Sequence, residues 1–118
     1  MPTPTFSLGN NIAIKVPAHQ FEETVLFYTE TLGLPQLEAT ADSVVIDFSG
    51  NKLWVDRVDT LSQAEIWLEI SCTDVDAATA HFSRHGVVRC DQIETLPDGF
   101  AGFWITNSAG IIHLVSKT

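Results

Sequence analysis

Hydrophobic and polar residues alternate near the start of the chain and then change to a helical spacing. Residues 11–16 follow the alternation of a β-strand, and Pro17 ends the run. Across residues 19–32 the apolar side chains recur at steps of three and four, and the glutamates fall outside that stripe. Gly33 follows, and glycine commonly closes a helix. The pattern therefore predicts a strand followed by a helix.

Three strand patterns come after this helix. Residues 35–40 form a weak one, whereas residues 43–48 and 52–58 are rich in β-branched and aromatic side chains. Ser49-Gly50-Asn51 has the composition of a tight turn between the last two strands. The first half of the chain is thus predicted to be a strand, a helix and three further strands.

The same order then repeats in the second half. Residues 65–72 alternate as a strand, with Trp67, Glu69 and Ser71 on one face, and Asp74 is a suitable N-cap for a helix that runs to about His85. Three more strand patterns complete the repeat, at residues 87–93, 102–106 and 111–116.

The repeat predicts an α+β fold made of two tandem βαβββ modules. We expect one curved mixed sheet with the helices on its outer face, within a single domain of 118 residues. The predicted divisions are module one at about 8–58, a linker at about 59–64 and module two at about 65–118.

Charge and hydropathy restrict the partners. The chain has 15 acidic and 6 basic residues, a formal net charge of −9, which disfavours binding to nucleic acid. No apolar run approaches the roughly 20 residues that span a bilayer, and no signal peptide is recognisable, so we expect a cytoplasmic protein without a membrane partner. The 2 cysteines are too few for a disulfide framework and are expected to be free thiols.

Several segments together resemble the vicinal oxygen chelate superfamily, which includes glyoxalase I, extradiol dioxygenases and bleomycin-resistance proteins. The helix end Phe-Tyr-x-x-x-Leu-Gly is the most diagnostic of them. The resemblance covers both modules and rests on Asn-Ile-Ala-Ile-Lys-Val at 11–16, Phe-Glu-Glu-Thr-Val-Leu-Phe-Tyr-Thr-Glu-Thr-Leu-Gly-Leu at 21–34, Thr-Asp-Val-Asp-Ala-Ala at 73–78 and Asn-Ser-Ala-Gly-Ile-Ile-His-Leu-Val at 107–115.

The resemblance implies where metal-using relatives would place their ligands. Projected onto this chain, those positions are Asn11, Trp54, Trp67 and His113, and of these only His113 is a competent donor for a transition metal. The chain is therefore expected to hold no metal and no other cofactor, as in bleomycin-resistance proteins.

The orientation of His113 depends on the length of the preceding turn. In the family the last ligand usually stands four residues after the turn glycine, whereas His113 follows Gly110 by three. We expect His113 to face the ligand crevice, with Ile112 and Leu114 towards the helices, because the opposite choice would place two aliphatic side chains in the crevice.

The remaining candidate ligand-binding residues are aromatic, acidic or amide side chains. An indole can stack on a flat ligand, a carboxylate can bind a cation, and an amide can orient a ligand, although each is also compatible with core packing or an ordinary surface position. His81 and His85 stand four apart on the predicted helix, a chelating spacing, but no third donor is evident and we expect no metal there. The candidates for ligand binding are Asn11, Trp54, Trp67, Glu69, Asp98, Phe100, Trp104 and His113.

The functional hypothesis is a metal-independent small-molecule binding protein of the glyoxalase/bleomycin-resistance type, one that sequesters a cationic or aromatic compound and forms a homodimer. The alternative is a metal-dependent lyase, isomerase or dioxygenase with an atypical ligand set recruited from Asp56, Glu65, Glu69 and His113. A third possibility is a homologue that binds no small molecule. Whether the chain is an enzyme stays open on the sequence.

Overall fold

A computed structural model of the chain describes residues 4–118. The chain forms two compact units: residues 10–67 make one, and residues 68–118 with the described residues 4–9 make the other. The strands are β1 (Phe6–Leu8), β2 (Asn11–Val16), β3 (Gln36–Ala39), β4 (Ser43–Phe48), β5 (Asn51–Arg57), β6 (Glu65–Cys72), β7 (Val88–Arg89), β8 (Gly102–Thr106) and β9 (Ile112–Lys117), and the α-helices are α1 (Phe21–Leu26) and α2 (Val75–Arg84).

The unit of residues 10–67, called the first unit below, contains a mixed set of strands in the order β3-β4-β5-β2. β2 is parallel to β5 and antiparallel to the start of β6, where Ala13 lies opposite Trp67. Ser49 and Gly50 have φ angles of 56° and 87°, and they form a two-residue turn in which Phe48 pairs with Asn51. The predicted linker at residues 59–64 lies wholly inside this unit.

A single helix was predicted over residues 19–32, and the structure divides this segment into three turns of different pitch. A 3₁₀ turn spans Ala18–Gln20, α1 follows, and a wider π-helical turn occupies Phe27–Thr31. The Thr29 hydroxyl donates to the carbonyl of Val25 at 2.9 Å. The sequence pattern therefore identifies the helical segment but not its changes of pitch.

One face of the first unit packs under α1. Its buried core is made of Val16, Phe21, Val44, Ile46, Leu53 and Val55, with Ile12 and Ile14 packed against it. Because side chains alternate along a strand, the other face of β2 carries Asn11, Ala13 and Lys15. The polar face of the first unit is therefore the side opposite α1.

The second unit, residues 68–118 with the described residues 4–9, contains β6 from Leu68 onward. Its strands have the order β6-β9-β8-β7, and β1 pairs antiparallel with β6. The Asp74 side chain accepts a hydrogen bond from the Ala77 N–H at 3.0 Å, which confirms it as the N-cap of α2. Gly86 has a φ of 70° and closes the helix as predicted. The core beneath α2 consists of Cys72, Ala78, Phe103, Ile105 and Val115.

Two strands differ from the prediction. The strand expected over residues 87–93 contains only β7, because Asp91 accepts a bond from the Trp104 N–H at 3.1 Å and a 3₁₀ turn begins there. A side-chain acceptor thus replaces the next backbone carbonyl of the ladder. β1 was not predicted, since it is three residues long and has no alternating pattern of its own.

The α+β class and the tandem βαβββ order are confirmed. The two cysteines are free, as predicted, with Cys72 buried and Cys90 half-buried. None of the helices in residues 4–118 is long and apolar enough to cross a membrane.

Candidate functional site

Two rows of side chains cross the polar face of the first unit. β2 lies between β5 and β6, so Ala13 has Trp54 as its neighbour on one side and Trp67 on the other. Two residues further along β2, Lys15 lies between Asp56 and Glu65. The row of Trp54, Ala13 and Trp67 is called the indole row below. It holds two of the predicted ligand-binding residues, Trp54 and Trp67.

Asn11 and Trp54 are joined directly. The indole Nε1 of Trp54 donates to the side-chain Oδ1 of Asn11 at 2.8 Å, from β5 to β2. Trp67 donates from its own Nε1 to Oε1 of Glu65 at 3.3 Å. Both indoles therefore have their N–H groups engaged within this unit, and their rings are held in fixed orientations.

Lys15 is a buried cation that the sequence analysis did not single out. Its side chain is 6% exposed, and its Nζ lies 2.8 Å from Oδ2 of Asp56. The other oxygen of Asp56 accepts a short hydrogen bond from the Ser43 hydroxyl. Nζ also lies 4.2 Å from the centroid of the Trp67 ring, within the range of a cation–π contact. The available signal was a lysine in an otherwise apolar strand, at the same alternation as Asn11.

The second unit has a comparable row on its face opposite α2. Leu114 lies between Glu69 on β6 and Trp104 on β8. Glu69 is only 9% exposed, and its Oε2 accepts a hydrogen bond from the Ser116 hydroxyl at 3.2 Å. A Cβ atom at Gly9 would lie 2.0 Å from Oε1 of Glu69, so a side chain at this position would require the Glu69 carboxylate to move.

Trp104 is buried and anchored at two points. Its indole Nε1 donates to the Glu94 carbonyl at 3.0 Å, and its backbone N–H donates to Asp91. Partial burial would raise the pKa of Asp91, but the hydrogen bonds from Arg89 and Trp104 and the Arg89 charge outweigh it and lower that pKa. A role of Trp104 in ligand binding stays a prediction.

The expected orientation of His113 is wrong. His113 pairs with Ile105, and Val115 pairs with Phe103. The three apolar residues of these two pairs belong to the core beneath α2. Alternation therefore puts His113 on the α2 side and Leu114 on the opposite face. The pairing register of β9 with β8, which the sequence does not reveal, decides which face of the sheet His113 occupies. His113 Nδ1 lies 3.0 Å from the Ile111 carbonyl.

Asp98 and Phe100 lie in the loop before β8. The Phe100 N–H donates to the Pro97 carbonyl at 3.0 Å, and Gly99 between them has a φ of 78°, which defines a tight turn. Both candidates are exposed, and the Phe100 ring covers Gly102, where a Cβ would lie 2.6 Å from it. Their role as ligand contacts stays a prediction.

The residues at the positions where relatives hold a metal do not fit one. The Asn11 oxygen already accepts the Trp54 N–H, and Trp67 offers a donor where a lone pair is required. The position four residues after Gly110 is Leu114, which has no donor atom. Within residues 4–118, no group of three or more His, Cys, Asp or Glu side chains is placed to hold a metal ion.

Comparison with known proteins gives structural matches only. No family model matches the sequence, and no curated protein does. An Mn(II)-bound glyoxalase from Novosphingobium aromaticivorans has 18% identity and a TM-score of 0.71 over 97% of this chain and 40% of its own. A variant of homoprotocatechuate 2,3-dioxygenase from B. fuscum has 14% identity and a TM-score of 0.71 over 98% of this chain and 33% of its own.

A third match is nearly the same size as this chain. Methylmalonyl-CoA epimerase from Mycobacterium tuberculosis has 13% identity and a TM-score of 0.67, over 99% of this chain and 91% of its own. The chain thus spans well under half of the first two proteins, at 40% and 33%, and most of the third. At these identities the likeness establishes the fold alone, which is shared with these glyoxalase, dioxygenase and epimerase structures, as the sequence predicted.

Proposed function

We propose that this protein is a metal-independent small-molecule binding protein that takes up a flat polar or cationic aromatic compound on the polar face of the first unit. The observation that carries the proposal is the indole row, in which a small residue, Ala13, separates Trp54 from Trp67. Sequestration by stacking needs no chemical step, and nothing in the proposal depends on a metal.

The spacing of the strands sets the width of the proposed slot. Neighbouring strands lie about 4.8 Å apart, so the two tryptophan-bearing strands flank Ala13 at roughly 10 Å from each other. We infer a depression over Ala13, where only a methyl group stands between the two indoles. Ala13 and Trp54 are half-buried, whereas Trp67 is buried with the Lys15 ammonium against its ring. Ring faces and a few fixed polar groups are typical of small-molecule sites.

The polar groups beside the row support a cationic or hydrogen-bonding ligand. Asp56 is paired with Lys15 in the adjacent row, so Glu65 leaves that row with a net negative charge, and the chain as a whole carries a charge of −9. A negative field raises the local concentration of cations. The bond between Asn11 and Trp54 holds one wall of the slot before any ligand arrives, which reduces the entropy lost on binding.

The alternative is a metal-dependent lyase, isomerase or dioxygenase, and the activities named for the similar structures are its support. Two of the four donors that it would recruit are unsuited to a metal. Both oxygens of Asp56 are engaged, by Lys15 and by Ser43, and His113 lies on the α2 side of its strand. Binding without a metal therefore agrees better with these contacts.

Filling the depression tests the proposal. We expect Ala13→Leu to abolish saturable quenching of tryptophan fluorescence by a planar acridinium dye, because the leucine occupies the space between the indoles. Ala41→Leu is the matched control, since Ala41 is an exposed residue of a turn in the same unit. Unchanged dye affinity in Ala13→Leu, with a normal thermal midpoint, would contradict the proposed slot.

Metal content provides the second test. Protein purified without chelators should contain far less than one equivalent of zinc, iron, nickel or manganese, and removal of divalent ions should leave dye binding unchanged. A stoichiometric metal that persists through dialysis would instead support the enzyme alternative. A homodimer, predicted from the sequence, is a separate proposal that sedimentation equilibrium can decide.

A further inference from the structure

Two histidines lie against each other at the C-terminal end of α2. His81 belongs to the last turn, and the backbone N–H of His85 donates to its carbonyl at 3.2 Å, so the helical path continues for one turn between them. Side chains four apart on such a path project from the same face. The centroids of the two imidazole rings are 4.5 Å apart, and their planes are inclined by 46°.

One of the two rings is supported by neighbouring aromatic side chains. The Phe6 ring of β1 lies 5.8 Å from the His81 ring and stacks on Phe82 at 5.1 Å. His85 is exposed and has no packed side against the core. A supported imidazole beside an exposed one can adjust to an ion by rotation of the exposed ring alone.

Contrary to the expectation from the sequence, which rested on the lack of a third donor, the contact between the two rings leads us to propose that His81 and His85 form a two-imidazole chelate for a borderline divalent transition metal ion, with Cu²⁺ bound most tightly. Neutral imidazole nitrogen suits copper, nickel and zinc, and affinity among these ions peaks at copper. Because residues 4–118 contain no larger donor group, water completes the coordination and the ion exchanges readily. The negative end of the helix dipole at this terminus favours a cation.

Arg84 is the one charged group of the last turn of α2 besides the histidines. Arg84 directly precedes His85 in the sequence, and its positive guanidinium group repels an incoming cation. Removing this charge without touching either imidazole is therefore expected to strengthen metal binding.

The test is a CuCl₂ titration of tag-free, chelator-treated protein, followed by calorimetry and by electron paramagnetic resonance. We expect one site with nitrogen coupling in the spectrum, and His81→Asn or His85→Asn should weaken it by at least about tenfold, since even outer-shell partners of metal ligands cost that much. His19→Asn and His113→Asn are the controls and should leave the affinity unchanged. Arg84→Gln should raise it.

Wild-type affinity retained in His85→Asn would overturn the chelate, and so would the absence of saturable Cu²⁺ binding by the wild-type protein. Should His81→Asn lose helical circular dichroism through the loss of its contact with Phe6, His85→Asn alone decides, because His85 is exposed. Copper binding at this chelate is weakened in His85→Asn. A metal that stays tightly bound in His85→Asn is held at another site. Such a metal tests the proposed function and not this chelate.

Discussion

Trp54 donates from its indole Nε1 to Oδ1 of Asn11 across 2.8 Å, a bond that links β5 to β2 on the polar face of the first unit. Asn11→Leu removes the acceptor and leaves a half-buried N–H without it. We expect the free energy of unfolding to fall by about 1 kcal/mol, the net value of a typical hydrogen bond. Urea denaturation measures this change.

A double-mutant cycle isolates the bond itself. Trp54→Phe removes the donor, so Asn11→Leu should cost much less in that background. Equal costs of Asn11→Leu in the two backgrounds would show that the loss comes from other contacts of Asn11.

The buried pair of Lys15 and Asp56 gives a larger expected effect. Lys15→Met leaves Asp56, whose side chain is 18% exposed, with only Ser43 as its partner among these groups. Breaking a buried pair by removing one member costs about 3 kcal/mol. Lys52→Met on the exposed side of β5 is the matched control and should change the unfolding free energy little. A cost below that of the control would contradict the structural importance of the pair.

Gly9 is expected to tolerate no side chain. In Gly9→Ala the new methyl group would meet Oε1, Cγ and Cδ of Glu69, at 2.0, 2.3 and 2.5 Å. Overpacking of this kind costs typically about 1–3 kcal/mol. Glu69→Ala removes those three atoms, so adding Gly9→Ala to that variant should cost clearly less. Thermal or urea denaturation of the four proteins distinguishes a clash from a change in backbone preference.

Asp91 is expected to make stability depend on pH at the acid end. Its pKa lies below the ordinary value of 3.8 in the folded protein. A group with a lowered folded pKa contributes stability that is fully present above the unfolded pKa and is lost as the pH falls through the folded pKa. The Asp91 contribution should therefore be complete at neutral pH and be lost progressively as the pH falls from about 3.8 through the lower folded pKa.

Asp91→Asn keeps an oxygen that can accept the Trp104 N–H but removes the charge that pairs with Arg89. Its unfolding free energy should depend less on pH between neutral and strongly acidic conditions. Asp98→Asn, in an exposed turn of the same unit, is the control. Identical pH profiles for Asp91→Asn and the wild type would refute the assignment.

The sequence predicted the features that depend on local spacing. The placement of Trp67 and Glu69 on one face of β6 follows from alternation within a single strand, and the N-cap at Asp74 follows from its neighbours. Both are confirmed by the structure.

The features that depend on distant partners could not be predicted in the same way. The pairing of β9 with β8 fixes the face of the sheet on which His113 lies. The burial of Lys15 depends on Asp56, which is 41 residues away in the sequence. Local alternation cannot reveal which residue of another strand lies opposite. The length of β7 was overestimated because a side chain, Asp91, replaces a backbone acceptor.

The pairing of β1 with β6 has a consequence for how the chain folds. Phe6 lies opposite Cys72, so the two residues of this pair are about 66 positions apart, and the second unit draws on segments from both ends of the sequence. During synthesis the N-terminal strand emerges long before its partner exists, whereas residues 10–67 can close their own contacts earlier. Contacts between residues so far apart in the sequence form slowly, because the entropy of closing the intervening loop is lost before the contact stabilises the chain. Translation order thus favours completion of residues 10–67 first, with the N-terminal strand added last.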